Sequence, residues 1–442
     1  MKTGGTRLWA VLVASIAAGA LAGCGGQHLQ HGQVAVAPAF SLFDQPVHIV
    51  VSSVGSHRNV VVQLTSVDEK GHEFASRATF RSNGSGRVDL ASTPATGGSY
   101  SGVDPMGLID ALQTASGQSS SYFWSRQHPG RFRIIVTEDG SKVASGGFSR
   151  RGYLPGVTVS NESIAATGFY GQFWRPRPGN PRRPGVLEFG GSEGGLDGQL
   201  LGAGLASAGF PTLNIAYFGE PGLPSELSDI PLEYFARALR WLARQPEVVA
   251  GQIYVSGVSR GSEAALLLGV HYPKLVHGVI ASSPSDLSFG SYPDRGSAAW
   301  TYAGKPVPHS LSFSPDIPVL DPAAEIHVEQ IHGPVLLDCG TDDQIWTSCA
   351  YAQAIQNRLS AAHDRFPHVL FRYRGAGHFV GVLIPYEPGL ALVAARDQGD
   401  TPLANLNSDA RLWPHLLSFL TNPAGQAGTF SAPATPPPLT TS

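Results

Sequence analysis

The spacing of apolar and polar positions divides the chain into a segment that predicts strands alone and a longer segment in which strands and helices alternate. Between residues 38 and 150, short runs rich in β-branched residues are separated by turns of Gly, Ser and Asn, which is typical of a β-sandwich. The runs are Val47–Val51, Val60–Thr65, Ala78–Phe80 and Arg131–Val136. We therefore predict an all-β domain at residues 38–150.

Residues 151–422 carry apolar runs of strand length in alternation with runs of helical period. Strands are predicted near Gly185–Phe189, Thr212–Tyr217, Ile253–Ser256, Gly278–Ser282, Val335–Asp338 and Val369–Tyr373. Helices are predicted near Leu196–Ala208, Leu232–Gln245, Ser262–Tyr272, Ser348–Ala361 and Asp409–Leu420. Such alternation specifies a mostly parallel sheet with helices on both faces. Residues 286–331 are Pro-rich and lack a clear period, so they are a candidate lid over the strand ends.

The N-terminus has the pattern of a secretory signal. Lys2 and Arg7 precede an apolar run, Leu8–Leu21, which is too short to span a bilayer as a stable helix and leads into Leu-Ala-Gly-Cys. This ending resembles a bacterial lipobox, in which the cysteine becomes the lipidated first residue of the mature protein. We predict that residues 1–24 are a lipoprotein signal and that Cys24 anchors the exported protein to the bacterial cell envelope, on its periplasmic or cell-surface side. The alternative is an ordinary signal peptide with an incidental cysteine.

Both flanks of the folded part are predicted to be unstructured. Residues 25–37 begin with Gln and His among glycines and are predicted to tether the folded part to the anchor. Residues 423–442 are rich in Pro, Ala and Thr and are predicted to form a disordered tail.

Composition adds limits to this outline. A chain of 442 residues, 42% hydrophobic and 14% charged, is long enough for two cores. With a net charge of −3, the chain lacks the excess of positive charge that is typical of proteins that bind nucleic acid or anionic membranes. We therefore expect no nucleic-acid partner and no membrane contact beyond the lipid anchor. With Cys24 set aside, Cys339 and Cys349 remain, and a pair in an oxidising compartment predicts a disulfide, with two buried free thiols as the alternative. The oligomeric state does not follow from the sequence.

The stretch Gln252–Tyr272 carries the pattern of a nucleophile elbow, with an apolar strand, Gly-Val-Ser-Arg-Gly, and a helix. Gly257 and Gly261 are small, as the sharp turn around Ser259 requires. The motif is short, and a second match at residues 190–194 also follows a predicted strand. In an α/β hydrolase the nucleophile follows several strand–helix units, whereas an earlier glycine-rich loop supplies amides to the oxyanion hole. We therefore assign Ser259 as the nucleophile and the match at residues 190–194 as that loop.

Two later loops offer an acid and a base. Asp342 and Asp343 follow the predicted strand Val335–Asp338, where a buried carboxylate would orient a histidine and stabilise its imidazolium. We assign Asp343, because the acid commonly lies about three residues past the glycine that closes this strand, and Asp342 then caps the turn. The loop Gly-Ala-Gly-His after the last predicted strand places His378 where the general base belongs.

The serine, the aspartate and the histidine occur in the order that α/β hydrolases use. The predicted mechanism is a two-step acyl transfer, in which His378 takes the proton of Ser259, the serine attacks a carbonyl, and water releases the acid from the acyl-enzyme. Backbone amides of Arg260, Gly191 and Ser192 are predicted to hold the oxyanion. The sequence contains no metal-ligand cluster and no nucleotide-binding glycine loop with an acidic partner, so we predict no metal and no cofactor.

Several longer motifs make the chain, from about residue 42 to residue 420, resemble the acyl-CoA thioesterase / bile acid-CoA:amino acid N-acyltransferase family. They are Gly98-Ser-Tyr-Ser-Gly-Val-Asp-Pro-Met-Gly107, Phe189-Gly-Gly-Ser-Glu-Gly-Gly-Leu196, Ile215-Ala-Tyr-Phe-Gly219, Leu232-Glu-Tyr-Phe235 and Gly340-Thr-Asp-Asp-Gln-Ile-Trp346. The resemblance implies an immunoglobulin-like domain packed on an α/β hydrolase, a triad of Ser259, Asp343 and His378, and acyl-CoA thioesters as substrates. It also implies that members with a cysteine nucleophile transfer the acyl group to an amino acid, whereas serine members hydrolyse it.

Two other functions stay open at this point. The first is an exported carboxylic-ester hydrolase or acyltransferase that uses the same triad on substrates of the envelope or the medium. The second is a non-catalytic envelope lipoprotein that binds through its β domain.

Overall fold

The computed structural model describes residues 32–114, 122–196, 199–362, 365–381, 384–388 and 402–433. The predicted signal at residues 1–24, with Cys24, lies outside the described residues, and so do residues 25–31 and 434–442. Among the described helices, none combines the length and the hydropathy that crossing a membrane requires.

The N-terminal domain is a β-sandwich. Its described elements are β1 (Gln33–Ala37), β2 (Phe40–Leu42), β3 (His48–Ser52), β4 (Asn59–Val67), β5 (Glu73–Arg81), β6 (Val88–Asp89), β7 (Ala95–Gly98), α1 (Gly107–Asp110), β8 (Gln113–Thr114), β9 (Gly130–Glu138) and β10 (Ser141–Arg151). One sheet has the order β1-β3-β6 and the other β2-β10-β9-β4-β5-β7, with β8 paired to β5. Every second residue of β4 and β5 is buried, so the inner faces share one core, as expected of an immunoglobulin-like domain.

The C-terminal domain is organised around one sheet. Its described strands are β11 (Thr158–Glu162), β12 (Tyr170–Arg175), β13 (Arg183–Phe189), β14 (Thr212–Ala216), β15 (Ile230–Pro231), β16 (Val248–Val258), β17 (Gly278–Ser282), β18 (Trp300–Tyr302), β19 (Lys305–Pro306), β20 (Val335–Gly340), β21 (His368–Arg374) and β22 (Gly428–Pro433). The helices are α2 (Ile164–Thr167), α3 (Gln199–Ser207), α4 (Leu232–Leu242), α5 (Arg260–His271), α6 (Ser348–Ala361) and α7 (Pro402–Thr421). The main sheet has the order β11-β12-β14-β13-β16-β17-β20-β21-β22 and is parallel from β14 to β22.

The two faces of this sheet are covered by different elements. One face packs against α4, α5 and α6, and the other packs against α3, α7 and the β domain. Strands β14, β17 and β20 are therefore buried at every position. Strands covered on both faces have continuous apolar runs, which is why these three were predictable from the sequence. Strands β11 and β12, at the antiparallel edge, have mixed polarity and were not predicted.

Both flanks of the folded part differ from the prediction. Residues 33–37 of the predicted tether form β1, which pairs antiparallel with β3 and packs Val34 and Val36 against the core. Residues 428–433 of the predicted tail form β22, which extends the main sheet beside β21 and stacks Phe430 on Phe371 at 5.2 Å. In both cases a short strand that adds to an existing sheet edge needs little hydrophobicity of its own, so the composition of its surroundings hid it.

A buried arginine joins the two domains. Arg150 at the end of β10 is fully buried and donates hydrogen bonds to the carbonyl oxygens of Leu42, Phe43 and Gln45 within the β domain. The same guanidinium donates to the carbonyl oxygen of Tyr386 in the C-terminal domain, at 3.0 Å. A charge buried this deeply is tolerated only where it is hydrogen-bonded, so Arg150 fixes the β domain against the segment of Tyr386, which lies between β21 and α7 in the sequence.

Candidate active site

Ser259 lies on a strained turn between β16 and α5. Its φ of +55° and ψ of −122° fall outside the regions that side-chain-bearing residues normally adopt. A Cβ added at Gly257 would collide with the carbonyl of Gly261, and one added at Gly261 would collide with the carbonyl of Gly190. The backbone N–H of Ser259 donates to the carbonyl oxygen of Ser282 at 3.0 Å, which ties the turn to the end of β17. Only glycines at these two positions permit the turn, as the motif predicts.

Asp343 and His378 form a buried pair. The distance from His378 Nδ1 to Asp343 Oδ2 is 2.8 Å, and the two side chains are 5% and 2% exposed, the histidine first. The second carboxylate oxygen, Oδ1, accepts backbone N–H groups from Ile345 at 2.9 Å and Trp346 at 3.2 Å. These bonds fix the carboxylate in one orientation, so that it in turn fixes the imidazole. Asp342, the alternative acid, is exposed and uses its backbone N–H to bind the carbonyl of Ala376.

Three loops converge beside the serine. The hydroxyl of Ser283, just after β17, donates to the carbonyl oxygen of His378 at 2.6 Å. The indole N–H of Trp346 donates to the carbonyl oxygen of Ser283 at 3.1 Å, and its ring meets the imidazole edge-on with centroids 5.4 Å apart. The loop that carries the acid, the loop that carries the base and the strand that binds the amide of Ser259 are thereby held together. No role was predicted for Ser283 or Trp346, although Trp346 ends the motif at residues 340–346.

The predicted oxyanion loop lies against the nucleophile, with one difference. A Cβ added at Gly191 would be 3.0 Å from the Cβ of Ser259, so this backbone borders the serine. The N–H of Gly191, however, donates to Oε1 of Glu193 at 2.7 Å. The Gly191 amide is therefore engaged by a carboxylate of its own loop, because the turn brings a side chain two residues ahead within reach. Ser192 follows in the same loop and is half-buried, and Arg260 is the first residue of α5.

A disulfide spans the acid loop. Cys339 at the end of β20 is bonded to Cys349 at the start of α6, and their Cα atoms are 5.1 Å apart. Asp343 lies between the two cysteines, so the bond closes the base of the loop that presents the carboxylate to the histidine.

Two further carboxyl groups near the site are buried. Burial raises the pKa of Asp338 to about 8, with a hydrogen bond from Ser282 acting in the opposite direction. Burial also raises the pKa of Asp286 to about 6, and the nearby Arg358 opposes this shift. In the described part of the chain, no group of three or more His, Cys, Asp or Glu side chains is arranged to hold a metal ion.

The fold and the site together define an α/β hydrolase: a mostly parallel sheet carries a strained serine after one central strand and a buried histidine–aspartate pair after later strands. Two family models match the chain. The one described as Acyl-CoA thioester hydrolase/BAAT N-terminal region covers residues 44–163, and the one described as BAAT / Acyl-CoA thioester hydrolase C terminal covers residues 230–292 and 298–424. The chain belongs to the acyl-CoA thioester hydrolase/BAAT family and is an enzyme of the hydrolase fold.

Individual relatives agree with this assignment. The chain is 30% identical to the peroxisomal succinyl-coenzyme A thioesterase of Mus musculus over 79% of this chain and 85% of the relative. It is 29% identical to acyl-coenzyme A thioesterase 1 of Mus musculus, over 86% and 93% of the two chains. It is 27% identical to acyl-coenzyme A amino acid N-acyltransferase 2 of Rattus norvegicus, over 90% and 99%. Among solved structures, a dienelactone hydrolase-like promiscuous phosphotriesterase from metagenomic libraries is 16% identical, with a TM-score of 0.42 over 62% of this chain and all of that one.

Proposed function

We propose that the protein is a serine hydrolase that cleaves acyl-CoA thioesters to a free acid and a thiol, with Ser259 as nucleophile, His378 as general base and Asp343 as the orienting acid. The observation that carries this proposal is the buried pair of His378 and Asp343, in a chain of the thioester hydrolase family. The loop of His378 and the strained elbow of Ser259 are both hydrogen-bonded to the end of β17, at Ser283 and Ser282. The names of the relatives supply the thioester substrate class.

The proposed reaction has two halves. The Nε2 atom of His378 takes the proton of Ser259 Oγ while this oxygen attacks the thioester carbonyl. The carbon–sulfur bond breaks, the histidine returns the proton to the leaving thiol, and the acyl group stays on the serine. A water then gives a proton to the same nitrogen while its oxygen attacks the acyl carbon. The bond from this carbon to Ser259 Oγ breaks, and the histidine returns the proton to Oγ, which releases the acid and restores the serine. Asp343 accepts a hydrogen bond from the Nδ1–H of the histidine throughout and stabilises the imidazolium.

The backbone amide of Arg260 is the proposed first donor to the oxyanion, because it begins α5 directly after the serine. The amide of Gly191 is the proposed second donor, and Ser192 lies next to it. Since Gly191 binds the Glu193 carboxylate in the structure, this carboxylate has to move before the oxyanion can take its place.

The nucleophile favours hydrolysis over transfer to an amino acid. Among the relatives one is named as an amino acid N-acyltransferase and others as thioesterases. The resemblance implies that acyl transfer to an amino acid goes with a cysteine nucleophile, and this chain has a serine at that position. We therefore propose water as the acceptor.

The test is hydrolysis of a matched panel of acyl-CoA thioesters and p-nitrophenyl esters by the protein lacking residues 1–24. We expect turnover of the CoA esters, and a loss of at least about a thousandfold in Ser259→Ala. A fluorophosphonate should label the wild type and Ser192→Ala, which alters the second Gly-x-Ser-x-Gly match, but not Ser259→Ala. Labelling or turnover that persists in Ser259→Ala would overturn the assignment of the nucleophile.

The disulfide favours a second candidate. A bond between Cys339 and Cys349 is typical of an oxidising compartment, in agreement with the predicted export signal and the predicted lipid anchor at Cys24. An exported enzyme with the same triad would act on carboxylic esters of the envelope or the medium. Turnover of the p-nitrophenyl esters without turnover of the CoA esters would move the function to this candidate.

A further inference from the structure

A buried ion pair directly follows the nucleophile and has no part in the mechanism proposed above. Nε of Arg260 lies 2.7 Å from Oε1 of Glu263, one turn further along α5, and the two side chains are 7% and 0% exposed. The mechanism uses only the backbone amide of Arg260. Removing two charges from water carries a large desolvation penalty, so a pair at this position calls for a specific role.

The pair binds one short segment of the candidate lid. Nη2 of Arg260 donates to the carbonyl oxygens of Phe289 at 2.9 Å and Gly290 at 2.8 Å. Oε2 of Glu263 accepts the backbone N–H of Phe289 at 3.2 Å and the indole N–H of Trp300 at 2.9 Å. Both backbone polar groups of Phe289 are therefore bound by side chains of the helix that begins at the nucleophile.

A second ion pair holds the base of the same segment. Nη2 of Arg358, on α6, lies 3.1 Å from Oδ2 of Asp286, and Nη1 of the same arginine donates to the carbonyl oxygen of Ile326. Residues 286–300 are thus fixed to both α5 and α6. A segment held by charged side chains on two helices, one pair buried and one half-buried, has the contacts of a fixed wall and not those of a moving lid.

Through Phe289, this segment is connected to the general base. The ring of Phe289 stacks on Trp346, with centroids 5.7 Å apart and planes 25° apart. Trp346 meets the imidazole of His378 edge-on, and its backbone N–H binds the carboxylate of Asp343. A continuous set of contacts therefore runs from the nucleophile helix, through Phe289 and Trp346, to the base and the acid. We call Phe289 and Trp346 the aromatic wall.

We propose that Arg260 and Glu263 are positioning residues, which hold the aromatic wall and thereby set the imidazole of His378 relative to Ser259. This proposal rests on the proposed function of the site, since it assigns a role through His378. A purely structural pair would stabilise the fold, and its removal would leave the behaviour of the base unchanged.

The decisive variant is the double substitution Arg260→Met with Glu263→Gln. Arg260→Met alone would leave a buried carboxylate without its partner, which by itself can prevent folding. The double variant removes both charges at similar volume, and the oxygen of the introduced glutamine amide can still accept the bonds from Phe289 and Trp300. The two hydrogen bonds to the carbonyls of Phe289 and Gly290 are lost together with the ion pair itself. Arg260→Lys is the conservative variant, because it keeps the charge but lacks the planar fork of donors.

We expect the double variant to fold with a lower thermal transition, because two buried carbonyl oxygens lose their donor. It should lose about tenfold to a hundredfold in kcat with KM changed less than about threefold, and shift the pH profile of kcat/KM on its acid side. Hydrogen exchange in residues 287–300 should speed up by at least about tenfold. Arg260→Lys should lie between the double variant and the wild type in both readouts. Arg175→Met, which breaks a half-buried pair with Glu247 at the other edge of the sheet, should match the wild type.

A folded double variant with the kcat, the pH profile and the exchange rates of the wild type would overturn the proposal. So would a lower kcat without faster exchange in residues 287–300, because the effect would then bypass the aromatic wall. Failure of the proposed function has a different signature: activity would survive in Ser259→Ala, whereas hydrogen exchange would still report how the pair holds the segment.

Discussion

We predict that Asp338 makes the stability of the protein depend on pH and that one substitution removes this dependence. It lies on β20, and its side chain is fully buried. The hydroxyl of Ser282 donates to Oδ2 at 2.8 Å, whereas Oδ1 has no hydrogen-bond partner in the described part of the chain. Oδ1 instead lies against the backbone of Gly381, three residues after the proposed base, where an added Cβ would collide with it. Because burial raises the pKa to about 8, the carboxyl keeps its proton at neutral pH.

The sign and the size of the effect follow from the two pKa values. An unfolded chain releases this proton near pH 3.8, whereas the folded chain retains it up to about pH 8. Between these values, ionisation of the carboxyl group stabilises the unfolded state but not the folded state. The free energy of unfolding therefore falls as the pH rises. Each pH unit lowers the free energy of unfolding by about 1.4 kcal/mol. Over the roughly four units between the two pKa values, the loss is at most about 6 kcal/mol. Below pH 3.8 the loss disappears, because both states are protonated.

We therefore expect Asp338→Asn, which cannot ionise and can still hydrogen-bond Ser282, to gain stability relative to the wild type as the pH rises from about 5 to about 8. The measurement is the urea midpoint of both proteins at each pH unit, without reductant. Asp342→Asn is the matched control, because it removes an exposed carboxylate a few residues away and should give a flat difference. A difference between Asp338→Asn and the wild type that stays constant over this pH range would show that Asp338 does not hold its proton in the folded state.

Three further predictions concern the acid loop, the triad and the domain interface. Replacing Cys339 and Cys349 together by Ala should lower the free energy of unfolding by about 3 kcal/mol in a denaturant titration, because the bond restricts the unfolded chain across a sequence separation of 10 residues, and dithiothreitol should abolish the difference. Asp343→Asn should lower kcat by about 10⁴-fold in steady-state kinetics with little change in KM, because it disturbs the tautomer of His378; a loss below about tenfold would contradict the proposed role. Arg150→Met should destabilise the protein by about 3–5 kcal/mol, since it leaves four carbonyl oxygens without their donor, and an unchanged thermal transition would contradict this account.

The central parts of the fold were predictable because their physics is local. Strands covered on both faces need continuous apolar runs, and helix α6 has the bounds Ser348–Ala361 in both the prediction and the structure. The turn at Ser259 was also predictable, since a strained backbone between two close carbonyls admits only glycine at the flanking positions. The pairing of Asp343 with His378 agrees with the position of each residue after its strand.

The parts that were missed depend on partners distant in the sequence. Strand β22 forms because β21 has an open edge with which it can pair. The composition of a Pro/Ala/Thr-rich segment does not predict this pairing. The contact of Glu193 with the amide of Gly191 depends on the rotamer of one side chain, which no periodicity encodes. Glu263 is a charged residue directly before the apolar run 264–270 of α5, and this is a signal that could have been used, because such a residue is buried only with a partner. For its partner, Arg260, the sequence predicted only a role of the backbone amide as a donor to the oxyanion.

The disulfide connects the compartment of the protein with its chemistry. The carboxylate of Asp343 is held by two backbone N–H groups of its own loop, so its orientation is only as fixed as the loop is. The bond between Cys339 and Cys349 closes that loop at its base, where β20 ends and α6 begins. In a reducing compartment the loop would be held only by its hydrogen bonds and by Trp346. In an oxidising compartment the disulfide also links its two ends covalently. We propose that the chain is exported, as its N-terminal sequence predicts, to a compartment in which the bond that closes the loop of Asp343 persists.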